Sequence, residues 1–296
     1  MPSHREKNGS LLAHPRVHRH GGEWSKQGIR RIVSLVPSLS EALVVLGLGD
    51  RLVGVTEFCV HPKGAFESLP KVGGTKDAEV AAIRELEPDL VIANHEENTA
   101  RVVRQLAESG IDVWLTYPRT VEEGTRLLRA LAELGASEQA IERHVAPAER
   151  AVAEARARRA GAGTGPRVFC PIWRDPWMTI GRDTYIHDMI ETCGGQNVFG
   201  EGPGCPGAGS RGDRPAAHRR YPILEFDDIV RARPEVILLP DEPYAFGEAD
   251  RRRLARLDCP AARNARIHLI DGTLLSWYGP RIAEAIRVLV KILAAS

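Results

Sequence analysis

The chain has 296 residues, 43% hydrophobic and 27% charged, enough to bury one large core or two modest ones, which excludes the disordered and fibrous classes. Lys and Arg number 40 against 39 Asp and Glu, a net charge of +1, so no bulk field draws the chain to nucleic acid or to an anionic membrane. Aromatic residues make up only 5%, which makes the positions of the five tryptophans informative.

Residues 1–28 are polar, rich in Gly and His and without period, and read as a disordered tail. His14, His18 and His20 within it are weighed as metal ligands, but a solvated tail is the preferred reading. The longest apolar run there, Leu11 to Ala13, falls short of the roughly 7–15 residues of a signal-peptide core. No stretch reaches the about 20 apolar residues of a membrane span. On this reading the protein is cytoplasmic, and a misassigned start would instead make it periplasmic or cell-surface. Cys59, Cys170, Cys193, Cys205 and Cys259 are odd in number and contain no CxxC pair, against a disulfide framework or a thiolate zinc site.

Order begins at Arg31. Ile32 to Val36 reads as a strand, and Ser38 to Glu41 supplies N-cap chemistry for a helix that reaches Leu46 and stops at Gly47. Strands follow at Leu52 to Val55, Asp89 to Ala93 and Ile111 to Thr116, with a helix from Arg101 to Ser109 between the last two. Strands alternating with helices imply a parallel sheet. Val121 to Leu134 is helical, and a second helix, N-capped by Ser137, runs to about Arg159. Its alanines sit between Arg and Glu, so it reads as a solvated rod linking two bodies.

The alternation then restarts, and the restart looks like a copy. Leu46 to Gly54 lines up with Thr192 to Gly200, and Glu87 to Ile92 with Arg233 to Leu238, both displaced by 146 residues. The expected organisation is therefore a tail over 1–28, an N-terminal α/β lobe over 29–136, a connecting helix over 137–160 and a C-terminal α/β lobe over 166–296. The second lobe holds strands Arg167 to Ile172, Glu235 to Leu239 and Arg266 to Ile270, and helices Asp183 to Cys193, Glu225 to Arg233 and Pro280 to Leu293.

Ligands of open α/β sheets bind beyond the carboxyl ends of the strands. The residues predicted there are Phe58 and His61; His95, Glu96 and Glu97; Tyr117 and Arg119; Trp173 and Trp177; Asp241, Glu242 and Tyr244; and Trp277, Tyr278 and Arg281. Three of the five tryptophans fall in this set, whereas Trp114 reads as core and Trp24 lies in the tail. Aromatic planes with a few polar groups suit a large flat ligand better than an ion or a small sugar. Catalytic motifs are absent: no nucleotide glycine loop, GxSxG, HExxH or Walker loop is present. Cys59 with His61 is the one thiol–base alternative, weighed against a buried structural cysteine, and the chain reads as no enzyme.

The stretches RIVSLVPSLSEALVVLGLGDRLVGVTEFCVHP, LPKVGG, ELEPDLVIA, PWMTIGRDTYIHDMIETCGGQNVFG, RARPEVILLP and SWYGPRI resemble the helical-backbone, class III substrate-binding proteins of ABC importers. The resemblance spans about Arg30 to Leu293 and is to the cobalamin-binding branch, beside heme and ferric-siderophore binders. It implies two α/β lobes joined by one rigid helix, with the ligand clamped in a cleft between them, and a monomer without intrinsic cofactor whose ligand is cobalamin, heme or another metal chelate. Aromatic contacts of cobalamin binders match Phe58 and Tyr221, while two positions that carry Trp in such proteins match Thr75 and Asn94. The pairs Trp173/Trp177 and Trp277/Tyr278 compensate in this reading, and His95 and Arg281 complete the expected ligand set. Docking on an ABC permease is expected through Asp227, next to Asp228. The matching position of the first lobe is Ala81, with Glu79 and Glu85 beside it, and Glu79 takes the docking role. A cytosolic storage or sensor relative that binds heme or a siderophore without transport is the alternative.

Overall fold

The structure, a computed structural model, describes residues 14–19, 25–161, 163–200 and 220–294. Most of the expected tail, His20, Trp24 and Cys205 lie outside the described residues. The chain divides into two compact units: one runs to Pro118 and takes in Glu123–Ala148 and Tyr278–Pro280, the other holds Arg119–Glu122, Glu149–Trp277 and the chain from Arg281 onward.

In the first unit strands β1 (Val17–Arg19), β2 (Ile32–Ser34), β3 (Leu52–Val55), β4 (Leu90–Asn94) and β5 (Asp112–Thr116) form a parallel sheet in the order β1-β5-β4-β2-β3. The central strands β2 and β4 are short runs of branched residues buried on both faces, as a parallel sheet covered by helices requires. Helices α1 (Pro37–Val45), α2 (Val80–Glu85), α3 (Ala100–Glu108) and α4 (Val121–Ala132) connect or follow them. Two expectations are corrected here. Val17–Arg19 is not tail but an edge strand pairing β5 from Val113 to Leu115, with Val17 in the core; three residues are too few to show a period. Helix α1 starts at Pro37 behind Val36, with no side-chain cap. Pro needs no amide partner in a first turn, and the Ser40 hydroxyl is spent on Val36 O at 3.0 Å and Ser34 Oγ at 2.8 Å.

The helical stretch that follows comprises α5 (Glu138–Ala140), a π-turn (Ile141–Val145) and α6 (Ala146–Ala160), and the boundary between the units falls within it, after Ala148. Ser137 caps it, its hydroxyl accepting from Ala140 N at 3.2 Å. The rod is not solvated all round: Val145, Ala148, Val152 and Ala155 are buried, a helical stripe of two valines and two alanines diluted by the charged residues around it.

The second unit carries a parallel sheet of β6 (Arg167–Phe169), β9 (Gln196–Asn197), β11 (Val236–Pro240) and β12 (Ile267–Ile270) in the order β12-β11-β6-β9. A small antiparallel sheet of β7 (Pro171–Trp173), β8 (Trp177–Thr179) and β10 (Ile223–Leu224) stands beside it. Its helices are α7 (Tyr185–Thr192), α8 (Phe226–Ala232), α9 (Glu248–Leu254), α10 (Pro260–Arg263), α11 (Thr273–Ser276) and α12 (Ile282–Ala294).

The two sheets repeat each other, β12-β11-β6-β9 having the order of β5-β4-β2-β3. Repetition extends to one polar device. Arg31 donates from its guanidinium to Leu86 O at 2.6 Å while its amide donates to Asp89 Oδ2 at 2.8 Å. Arg167 does the same to Ala232 O at 2.7 Å and Glu235 Oε2 at 2.8 Å. In each case the residue before the proline, Glu87 or Arg233, is left-handed, at φ 44° and 46°. The device ties the carboxyl end of a helix to the start of the next strand and supplies the last-turn carbonyl with a donor.

Candidate functional site

The carboxyl end of the first sheet presents three groups. Phe58, after β3, is 58% exposed, and its ring crosses the backbone of Gly74, where a Cβ would come within 3.2 Å of it. His95, after β4, is exposed and stacked on Tyr117, after β5, with centroids 4.6 Å apart and planes at 28°. Asn94, at a position matching one that can carry Trp in the family resembled, is buried and accepts from the amides of Glu96 at 2.8 Å and Glu97 at 3.2 Å. Its side chain is therefore committed to the turn that carries His95. Tyr278 is buried and its hydroxyl donates to Glu97 Oε1 at 2.9 Å, which ties it to this loop.

Cys59 is buried, with Ser40 Oγ at 3.1 Å and Thr56 Oγ1 at 3.3 Å from its sulfur. A thiol so enclosed is packing, which removes the physical basis of the thiol-enzyme alternative. His14 and His18 are occupied locally: His14 Nδ1 accepts from Arg16 N at 3.3 Å and His18 Nε2 lies 3.3 Å from Asp112. Among the described residues no cluster of three or more His, Cys, Asp or Glu has the geometry to hold a metal ion.

In the second unit the corresponding end is built from the loops after β7, β11 and β12. Trp173 is 44% exposed and meets Tyr244 edge-to-face at 5.5 Å. Behind it Tyr244 packs on Phe246 at 4.7 Å and Phe246 stacks on Trp177 at 5.7 Å. Trp177 is thus buried rather than exposed at this end. It is buried in the core among Phe169, Phe226 and Phe246, because the strand β8 that carries it turns alternate side chains inward and Trp177 falls on the inner face. Tyr221 is half-buried beneath the Arg220 guanidinium at 5.4 Å.

Trp277 and Arg281 form a third group, the guanidinium carbon 5.1 Å from the indole ring. Arg281 donates to Thr273 Oγ1 at 2.9 Å and sits 3.7 Å from Asp271. Next to them Glu242 accepts from Ser276 at 2.8 Å. Burial raises its carboxyl above the ordinary value, opposed by hydrogen bonds from Ser276 and Trp277 and reinforced by Asp241 and Asp271. Gly272 makes this corner possible: a Cβ there would meet Glu242 N and O at 2.8 Å. Three carboxylates, one arginine and one indole therefore share a small polar corner at the end of β11 and β12.

Asp227 lies exposed in the first turn of α8, and Glu79 is the exposed N-cap residue of α2. Glu79 and the N-cap of α8, Glu225, are again 146 residues apart. The residues missed by sequence reasoning are Arg174 and Asp250, joined at 2.5 Å. They are 76 positions apart, and Asp250 reads locally as an ordinary helix-start acid.

A family profile described as periplasmic binding protein matches residues 32–272. Among curated proteins, the vitamin B12-binding protein of Vibrio cholerae is 24% identical over 256 residues, covering 86% of each chain. An uncharacterized ABC transporter substrate-binding lipoprotein of Bacillus subtilis is 26% identical over 273 residues, 90% of this chain and 80% of the other. Among solved structures, the periplasmic vitamin B12 binding protein of Vibrio cholerae superposes with a TM-score of 0.74 at 23% identity, covering 90% of this chain and 96% of that one. The periplasmic heme-binding protein of Roseiflexus gives 0.69 at 25% identity, with 90% and 98% covered. These relatives are named periplasmic or lipoprotein, which leaves the cytoplasmic reading of the chain's start without support. Among the described residues no helix is long and apolar enough to cross a membrane. The match over residues 32–272 identifies the chain as a member of the periplasmic binding protein family, whose members carry ligands rather than transform them.

Proposed function

We propose that this protein is the substrate-binding component of an ABC importer for a flat, metal-containing macrocycle, a corrinoid in the first place and heme in the second, and that it works outside the cytoplasm. The observation that supports the ligand class is the set of aromatic side chains at the carboxyl ends of the strands: Phe58, His95 on Tyr117, Trp173 on Tyr244, and Trp277 under Arg281. Planar faces of this kind recognise a conjugated ring, and Arg281 and Glu242 beside Trp277, together with Tyr221, suit its polar appendages. Trp177 and Tyr278 support these contacts from within. The heme reading gains from His95, an exposed imidazole of the type that ligates iron.

In the same reading Asp227 and Glu79 meet cationic groups of a permease, and the protein acts as a monomer. Purified protein titrated with cyanocobalamin and with hemin should give a saturable absorbance change with at least one of them, and quenching of tryptophan emission that is diminished in Trp173→Ala. A flat response to both probes would sink the ligand class. Recovery of the natural protein from the cytosolic fraction alone would instead refute the importer role while leaving the ligand in place.

A further inference from the structure

Trp173 is a large aromatic side chain with 44% of its surface open at the end of a strand, and such a residue loses rotamer freedom only if something holds it. Its sequence neighbour Arg174 is itself fixed at two points. Arg174 crosses from the loop after β7 to the N-terminus of α9, where its Nη1 lies 2.5 Å from Asp250 Oδ1. Asp250 is almost fully buried, and its second oxygen accepts the Gly247 amide at 3.1 Å, so the acid cannot swing away. The same guanidinium lies 5.3 Å from the centre of the Tyr244 ring, the ring that meets Trp173 edge-to-face. One cation is therefore fixed at its tip by a buried carboxylate and at its face by the aromatic partner of the exposed indole.

We propose that Arg174 is a positioning residue that sets the Trp173–Tyr244 pair as a preorganised platform for the ring of the ligand. This rests on the reading of the protein as a carrier of a planar metal chelate. The chemistry requires arginine: a planar guanidinium stacks on Tyr244 while its edge binds Asp250, and a lysine ammonium of equal charge does only one of these. Ordering two aromatic side chains before binding is worth about a tenfold gain in affinity.

The test combines affinity with a ligand-free signal. Arg174→Gln and Arg174→Lys should each weaken the binding of hemin or cyanocobalamin about tenfold, and Asp250→Asn should do the same by loosening the anchor. In a Trp173→Ala background, where only Tyr244 is left to order, Arg174→Gln should cost clearly less than tenfold, a non-additivity that general destabilisation would not produce. In protein labelled with fluorotryptophan, the Trp173 resonance, assigned by its loss in Trp173→Phe, should broaden or shift in Arg174→Gln without ligand. Additive losses, full affinity in Arg174→Lys, or an unchanged Trp173 resonance would overturn the proposal. If wild-type protein takes up neither probe, the carrier reading fails, and the resonance alone decides whether Arg174 holds Trp173.

Discussion

Trp177 separates a core role from a ligand role by the size of two effects. It is 6% exposed, stacked on Phe246 and tilted against Phe226 at 5.6 Å. Its indole Nε1 is buried with no hydrogen-bond partner among the described residues. Trp177→Ala empties the centre of the aromatic cluster and should cost about 3–5 kcal/mol of the second unit's stability. Trp177→Phe loses the outer ring, roughly 40 Å² of apolar surface and hence about 1 kcal/mol. It also removes a buried, unpaired N–H whose desolvation costs about 1–3 kcal/mol, so the net change should lie near zero or be stabilising. Trp173→Ala, at a site 44% exposed, should stay within about 1 kcal/mol. Urea unfolding followed by far-ultraviolet circular dichroism, with the two units allowed separate transitions, measures all three. Should Trp177→Ala cost less than about 1 kcal/mol and abolish hemin or cyanocobalamin binding, the burial argument fails and Trp177 is a ligand contact after all.

Four further outcomes follow from the same geometry. Because Glu242 has a folded-state value raised above its ordinary 4.5, its contribution favours the fold below that value and is lost as pH rises through the folded one; Glu242→Gln should therefore gain thermal stability relative to wild type at about pH 8 and not at about pH 4. The thiols of Cys170 and Cys193 are pushed up by burial to about 12, so alkylation of native protein by iodoacetamide should be slow at both and become fast only in denaturant, as mass spectrometry of the digested chain would show. Asp89→Ala removes the acceptor of the Arg30 and Arg31 amides, both at 2.8 Å, and should lower the stability of the first unit by about 1–2 kcal/mol while leaving the unfolding of the second in place; Glu235→Ala should do the converse. Gly272→Ala drives a methyl group into the Glu242 backbone and should weaken chelate binding in titration while the far-ultraviolet spectrum is unchanged.

The parts of the fold legible in the sequence are those whose cause is local or repeated. Branched runs such as Leu90–Asn94 declare a buried strand, and Gly110, left-handed at φ 87°, marks the end of the helix before Ser109 because few other residues adopt that conformation cheaply. The displacement of 146 residues works because duplication copies constraints as well as residues. Asp89 and Glu235, Leu86 and Ala232, Glu87 and Arg233 differ in identity yet hold the same hydrogen bonds and the same backbone turn. What stayed hidden was β1, whose pairing with β5 is set by a strand almost a hundred residues away, and the buried stripe of the rod, whose two valines and two alanines are diluted by the charged residues around them.

The site divides along the same line. Its aromatics were visible because the chain has so few, but sequence assigns a tryptophan to a loop and cannot give it a direction. Trp173 and Trp177 stand four residues apart in one short stretch, and the first ends a strand facing outward while the second begins another facing the core. Which is which depends on strand alternation across the turn between them, and on Phe226 and Phe246 arriving from 49 and 69 residues further along to cover one face only. Arg174 illustrates the same limit from the polar side. Between two tryptophans it reads as loop solvation, and its role appears only when Asp250 and Tyr244 close on it from another loop and helix. Long-range packing thus selects, from a cluster of aromatics that composition can locate, the members left exposed and the members buried behind them.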